Sequence, residues 1–340
     1  MPFAEIVGHE RQLRSLRLSL ENGRLHHAYL FFGPEGVGKR TIAEALAKSL
    51  HCQERRFDFC DRCPNCVSIR DRNHPDVHIV EPQEGKKEVS IRQIRELTER
   101  IFLRSFSGRT KIALIDPAEL MNYHAQNALL KTLEEPPEKS TLVLITKNSG
   151  GLLPTLLSRC LRISFGLLPI AEASLFLAQQ KRLPSAQSQL LAALTMGSIG
   201  QALGLSEGQV EAERKKSIER YCALPESDFR SALAFAEELA SDKEKCTRVL
   251  QWIEAWNRDL LALQVTEANG LIRNFDLMES PRKHAGSGRA EQTLAVLSEL
   301  RRVVDALQKN YNRRMVLENF FISLVCRNLS EGRKAVRPRG

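Results

Sequence analysis

Two short stretches combine residue types and spacings that suggest binding chemistry. The first is Gly33-Pro34-Glu35-Gly36-Val37-Gly38-Lys39-Arg40. Glycines at this spacing let backbone N–H groups converge on phosphate oxygens, and the lysine adds a point charge. The loop lies between the apolar run Ala28–Phe32 and a segment with helical periodicity from Thr41 to Leu50, so a helix N-terminus would add its dipole. Gly33, Gly36, Gly38 and Lys39 are therefore candidate nucleotide-binding residues. Arg40 stands where the motif calls for a hydroxyl to hold Mg²⁺. Thr41 is no substitute, because one step along a helix rotates a side chain by about 100°. The second stretch is Cys52, seven residues, then Cys60-Asp61-Arg62-Cys63-Pro64-Asn65-Cys66. Four thiolates so spaced can surround one tetrahedral Zn²⁺ and leave no open position, which makes a structural zinc site. An iron–sulfur cluster is the main metal alternative, and His51 could compete as a ligand.

A third position joins the glycine loop. Ile112-Ala113-Leu114-Ile115-Asp116 reads as a buried strand ending in a carboxylate, which could hold Mg²⁺ through water or cap the next helix. The following residue is Pro117, where a water-activating carboxylate belongs, and Glu119 is expected to point elsewhere. Metal ligation and water activation are thus weakened at two independent places. The loop could still hold ATP or ADP, but hydrolysis by this chain is not expected.

The surrounding elements set how these residues can meet. Strand-like runs at Ala28–Phe32, Val77–Val80, Lys111–Ile115 and Leu142–Ile145 alternate with helical patterns, among them Leu13–Leu20. Ser90 should cap a helix through Leu103, with Ile91, Ile94, Leu97 and Ile101 as its apolar stripe, and Asn122 should start a helix through Leu133. Such alternation predicts a parallel sheet covered on both faces. Beyond residue 166 the pattern turns helical, with Trp252, Trp256 and a stripe from Leu294 to Leu307. Cys222, Cys246 and Cys326 lie on helical segments and read as core, and Cys160 as packing. The expected division is 1–165 α/β with the cysteine module at about 52–66, 166–206 small helical, 207–330 larger helical, and 331–340 a basic tail.

Composition bounds the function. Among 340 residues, 42% are hydrophobic and 27% charged, which suits a globular protein and excludes a fibrous or wholly disordered one. No apolar run nears the roughly 20 residues that span a membrane, and the start carries no secretory signal, so a cytoplasmic location is expected. A net charge of +9 permits contact with phosphate without establishing it. That modest charge, with only 6% aromatic residues, argues against a zinc-bearing nucleic-acid module with a vestigial loop.

Taken together, the loop GPEGVGKR, the cysteine knuckle, the run Asn127-Ala128-Leu129-Leu130-Lys131-Thr132-Leu133-Glu134-Glu135-Pro136-Pro137 and the triplet Ser158-Arg159-Cys160 resemble bacterial clamp-loader subunits of the AAA+ class. The resemblance covers about residues 5–205. Within the family, His74-Pro75-Asp76, Asn310-Tyr311-Asn312 and Leu317-Glu318 look like the delta-prime branch. The gamma/tau motors differ by Thr or Ser at Arg40, Glu at Pro117, and an arginine that Gly197-Ser198-Ile199-Gly200-Gln201 lacks.

The resemblance implies an AAA+ P-loop domain with a zinc-knuckle insert, a helical lid domain and an all-α collar domain. It implies that Arg159 acts as an arginine finger on a neighbour's ATP. Thr146, or the more exposed Lys147, would sit where such folds sense the γ-phosphate, and Arg95 with Arg92 would face DNA, or simply solvent. The implied partners are gamma/tau motor subunits, delta, the sliding clamp and primer–template DNA. The chain would be a subunit of the DNA polymerase III holoenzyme, itself neither polymerase nor ATPase. An active gamma/tau-like motor is the alternative.

Overall fold

A computed structural model describes residues 3–204, 207–266, 290–309 and 311–335. Two compact units divide the chain, Met1–Gly204 and Leu205–Gly340.

The first unit is built on β1 (Ala28–Phe32), β2 (Val77–Val80), β3 (Lys111–Ile115), β4 (Ser140–Thr146) and β5 (Leu161–Ser164). All pair in parallel, in the order β2-β3-β4-β1-β5. The central strands read as unbroken apolar runs because both faces are covered. Alternation then sorts their side chains into two cores. Tyr29, Phe31, Ile112, Leu114, Val143 and Ile145 face α1 (Glu10–Glu21), α2 (Lys39–His51) and α3 (Pro64–Arg70). Leu30, Ala113, Ile115, Leu142 and Leu144 face α4 (Ile91–Phe102) and α5 (Tyr123–Glu134).

Local signals set the helix starts. Ser90 and Gln93 form a reciprocal capping box, and the Asn122 side chain accepts from Ala125 N–H at 2.9 Å. The sequence predicts four strands and misses β5. That strand lies at the sheet edge with mostly exposed side chains, so it lacks the apolar run that marks the others.

After α6 (Pro154–Leu157) and β5 the chain forms α7 (Ile170–Lys181), α8 (Ser185–Leu194) and α9 (Ile199–Gly204), still within the first unit. Their seat on the glycine loop is made by backbone. Gly200 N–H donates to Gly36 O at 2.7 Å, and the Ser198 hydroxyl donates to Glu35 O at 2.9 Å. A Cβ on Gly200 would lie 2.7 Å from Gly36 Cα, so only glycine allows this approach.

The second unit is helical: α10 (Glu207–Ala223), α11 (Phe229–Ser241), α12 (Lys243–Val265), α13 (Ala290–Gln308) and α14 (Arg313–Ala335). α11 packs on α14, and α12 on α13. Phe235 meets Phe321 with ring centroids 4.9 Å apart, and Trp252 and Trp256 are buried. Three expectations change here. Leu294 is 55% exposed, so the apolar stripe of its helix rests on Leu300 and Val303 instead. Cys326 is exposed, whereas Cys246 is buried and Cys222 half-buried. The tail expected from residue 331 is helical as far as Ala335. Residues 336–340 and Asn310 lie outside the described residues. Among the described residues no helix is long and apolar enough to cross a membrane.

Gly200→Ala must push α9 off the loop, because the atoms it meets are backbone. The expected cost is about 1–3 kcal/mol, read as a lowered urea midpoint for the first unit. An unchanged midpoint would mean that the seat is not tight.

Candidate nucleotide loop and metal knuckle

The loop joins β1 to α2, with Gly38 as the N-cap in a left-handed conformation (φ 99°). Gly33, at φ 146°, is pinned from the other side: a Cβ there would lie 2.0 Å from Phe165 O, at the end of β5. Lys39 is buried and folded back, its ammonium donating to Gly33 O and Pro34 O at 2.6 Å each. Burial lowers its pKa, against the pull of the Asp116, Glu119 and Glu35 carboxylates. The lysine thus holds the loop's shape with its own carbonyls as acceptors.

Arg40 reaches across the sheet's C-terminal edge. Its Nε donates to Glu44 at 2.9 Å, one Nη donates to Glu81, and the same Nη lies 3.4 Å from Asp116 Oδ2. Arg72 takes the other Glu81 oxygen at 2.7 Å. Burial pushes the Asp116 carboxyl up to about 6, although Arg40 pulls the other way. Thr41 is exposed, as the helical rotation requires. The residues present therefore do not fit a P-loop Mg²⁺: a tethered cation already sits against Asp116, with no hydroxyl beside the lysine. Sequence reading missed Glu44, Glu81 and Arg72. Glu44 was within reach, four residues from Arg40 on one helix face, whereas Glu81 and Arg72 come close only once the sheet is assembled in the order β2-β3-β4-β1.

The other candidates are placed as follows. Thr146 is buried at the end of β4, its hydroxyl donating to Asn148 O at 2.8 Å. Lys147 pairs with Glu35 at 3.3 Å, and its N–H donates to Glu119 at 3.4 Å. Arg159 follows α6 and is one-third exposed; it bonds Glu134 at 2.7 Å and Thr155 O at 2.8 Å. Arg92 and Arg95 are exposed on α4, and Arg92 pairs with Glu96 on the same helix at 2.9 Å.

The four predicted cysteines meet. Cys52 ends α2, Cys63 caps α3, Cys66 lies within α3, and the Sγ atoms of these and Cys60 fall within 4.8 Å of one another. Tetrahedral zinc with Zn–S near 2.3 Å needs sulfurs about 3.8 Å apart, so the set fits zinc. Backbone N–H groups point at the sulfurs, Arg55 N–H at Cys52 (3.3 Å) and Cys63 N–H at Cys60 (3.2 Å). The knuckle belongs to the core: Phe59, Cys63, Cys66 and Ile69 pack with the strand residues, and Phe3 meets Phe59 edge to face at 5.7 Å.

Beside the knuckle lies a cluster that sequence reading quoted only for its resemblance, Asp76 and His74, with His51. Asp76 accepts four hydrogen bonds, from Ser105 Oγ, Phe106 N–H, and Ser107 N–H and Oγ, at 2.7–3.0 Å. Burial works against its charge, but these donors overrule it and hold the carboxyl down to about 2. With its oxygens so occupied, Asp76 braces the 105–107 turn instead of offering a ligand. His51 is buried and brought down to about 4 by burial and by the neighbouring His74 ring, so it is neutral near pH 7.

Comparison with known proteins bears on this geometry. A family profile described as "DNA polymerase III, delta subunit" matches residues 8–168. The delta-prime subunit of DNA polymerase III from Bacillus subtilis is 33% identical over 92% of this chain and 95% of its own length. The chain belongs to the DNA polymerase III delta-prime family. The delta-prime subunit of Escherichia coli is 32% identical over 77% of this chain and 80% of its own. The Escherichia coli tau subunit is 36% identical, but over 60% of this chain and only 32% of tau. Delta-prime relatives thus match along most of their length, whereas tau matches over a part. The first unit has the parallel-sheet α/β, AAA+-like fold, and a helical region follows it.

Two outcomes follow for this delta-prime family member. Purified chain should carry about one zinc by elemental analysis, and Cys63→Ser should lose the metal and lower the melting temperature. Metal-free, fully folded wild-type chain would refute the site. For Asp76, the folded pKa lies below the unfolded one, so its stabilisation is present above pH 4 and lost as pH falls towards 2. The shift from about 3.9 corresponds to about 2–3 kcal/mol. Asp76→Ala should flatten the stability–pH curve between pH 4 and 2 by that amount, measured by urea unfolding.

Proposed function

We propose that this chain is a clamp-loader subunit of DNA polymerase III that hydrolyses no ATP itself and supplies Arg159 to a neighbouring motor's ATP site. One observation carries the non-hydrolysing part: Arg40 lies against Asp116 and Glu81 where a P-loop enzyme keeps its metal. Pro117 follows with no base, and Lys39 is spent on its own loop. The match along most of the length of the delta-prime relatives supports the same role.

The arginine reading rests on placement. Arg159 stands beyond the fourth strand, and its pair with Glu134 is exposed. Exposed ion pairs contribute about 0–1 kcal/mol, so an arriving phosphate could take Arg159 from Glu134 at little cost. Its partners would be gamma/tau motors and delta, with the sliding clamp and primer–template DNA as the objects handled, in the cytoplasm. In this reading residues 1–165, 166–206 and 207–330 serve as P-loop-like, lid and collar domains, and the zinc is structural. Arg95 and Arg92, on the exposed face of α4, would meet DNA phosphate. An active gamma/tau-like motor is the competing reading, favoured by the retained Gly38-Lys39 pair.

The chain alone should show no Mg²⁺-dependent ATP turnover, and motor subunits should need it for full DNA-stimulated turnover. Arginine fingers contribute about 10³–10⁵ at the site they serve. Arg159→Ala should therefore silence one site, lowering the assembly's ATPase rate while leaving assembly intact in gel filtration. Lys39-dependent hydrolysis by the chain alone would make it a motor.

A further inference from the structure

The Arg40 cluster carries an inference about the ions this loop accepts. Three carboxylates converge on one guanidinium from three separate elements. Glu44 comes from the second turn of α2, Glu81 from the end of β2, and Asp116 from the end of β3. Their side chains are only 35%, 29% and 17% exposed. Such a set of oxygens, brought together by tertiary structure, is the ligand type that Mg²⁺ and Mn²⁺ prefer. The charge that meets it is covalently attached and permanently protonated. Arg72 covers one further Glu81 oxygen from the rim, where it is 55% exposed. One Arg40 nitrogen is buried without a hydrogen-bond partner.

We propose that Arg40 is the resident cation of this loop, occupying the place among Glu44, Glu81 and Asp116 that a divalent metal would take, and thereby excluding Mg²⁺ and Mn²⁺. The arrangement deepens the non-hydrolysing reading, yet it is tested apart from it, without nucleotide, partner or turnover. Metal exclusion follows from charge and space together. A divalent ion cannot displace a guanidinium tied to the helix that forms the site, and a second cation beside it would be repelled. Removing Arg40 leaves three carboxylates with Arg72 on Glu81 and only the longer-range charges of Lys39 near Asp116 and Lys48 near Glu44. They must then take up a proton or capture a cation.

The test uses the full-length, zinc-loaded chain and Mn²⁺ alone, followed by paramagnetic resonance of the free ion and by thermal melting. Wild type should bind no Mn²⁺ above the level of its Asp116→Asn variant, and its melting temperature should not respond to the ion. Arg40→Ser should gain about one Mn²⁺ per chain, at least tenfold tighter than wild type, with a melting temperature that rises as Mn²⁺ is added. Arg40→Ser combined with Asp116→Asn should lose that gain. Arg40→Gln, which keeps most of the side chain's volume while removing its charge, repeats the comparison if the serine variant folds poorly. Mn²⁺ bound by wild type and lost in Asp116→Asn would overturn the proposal. Folded Arg40→Ser and Arg40→Gln chains that both fail to gain Mn²⁺ would also overturn it. Neither outcome touches Arg159, so failure here is separable from failure of the proposed function.

Discussion

The first unit depends on a place where backbone meets backbone with no room for a side chain. At Gly33 the loop lies against the carbonyl of Phe165, and at Gly36 it lies against α9 through Gly200. These contacts fix the loop from two sides, one from the edge strand and one from the helical bundle. Everything else at the loop is consistent with a fixed shape. Lys39 bonds carbonyls of the same loop, His9 bonds Val37 O at 2.8 Å, and Ser198 bonds Glu35 O. The groups so committed are carbonyl oxygens of the loop, whose bonds hold its shape. The electrostatics agree with the sterics, since Asp116, the carboxylate at the end of β3, faces a guanidinium.

Much of this was readable from the sequence, for identifiable reasons. The central strands announced themselves because parallel strands covered on both faces must be apolar throughout. The helix starts at Ser90 and Asn122 were legible because capping is local chemistry. The knuckle was legible because metal spacing is also local, set by two tight turns and a helix end. Arg40 and Pro117 could be read as departures because each sits at a fixed offset from a recognisable motif.

The rest was hidden because it is made by tertiary placement. β5 is short, and an exposed edge strand carries no hydrophobic signature. Glu81 and Arg72 come near Arg40 only after the sheet is assembled in its β2-β3-β4-β1 order. Asp76 shows no sign of its four donors until the turn at residues 105–107 folds over it, about thirty residues away. In the helical unit, spacing placed Leu294 and Cys326 in the core. Periodicity gives a face, but the extent to which another helix covers that face is decided elsewhere.

α2 begins at Lys39, in the phosphate-type loop, and ends at His51, one residue before the first knuckle cysteine. Thirteen residues make a rod of about 20 Å. Its inner face is locked by Ile42, Ala43, Leu46 and Ala47, all fully buried. The loop and the cysteine knuckle are therefore opposite ends of one rod whose middle is clamped by the sheet. A coloured ion such as Co²⁺ in the knuckle would act as an optical gauge at the far end, its absorption band sensing strain applied at the loop without a probe touching the loop itself.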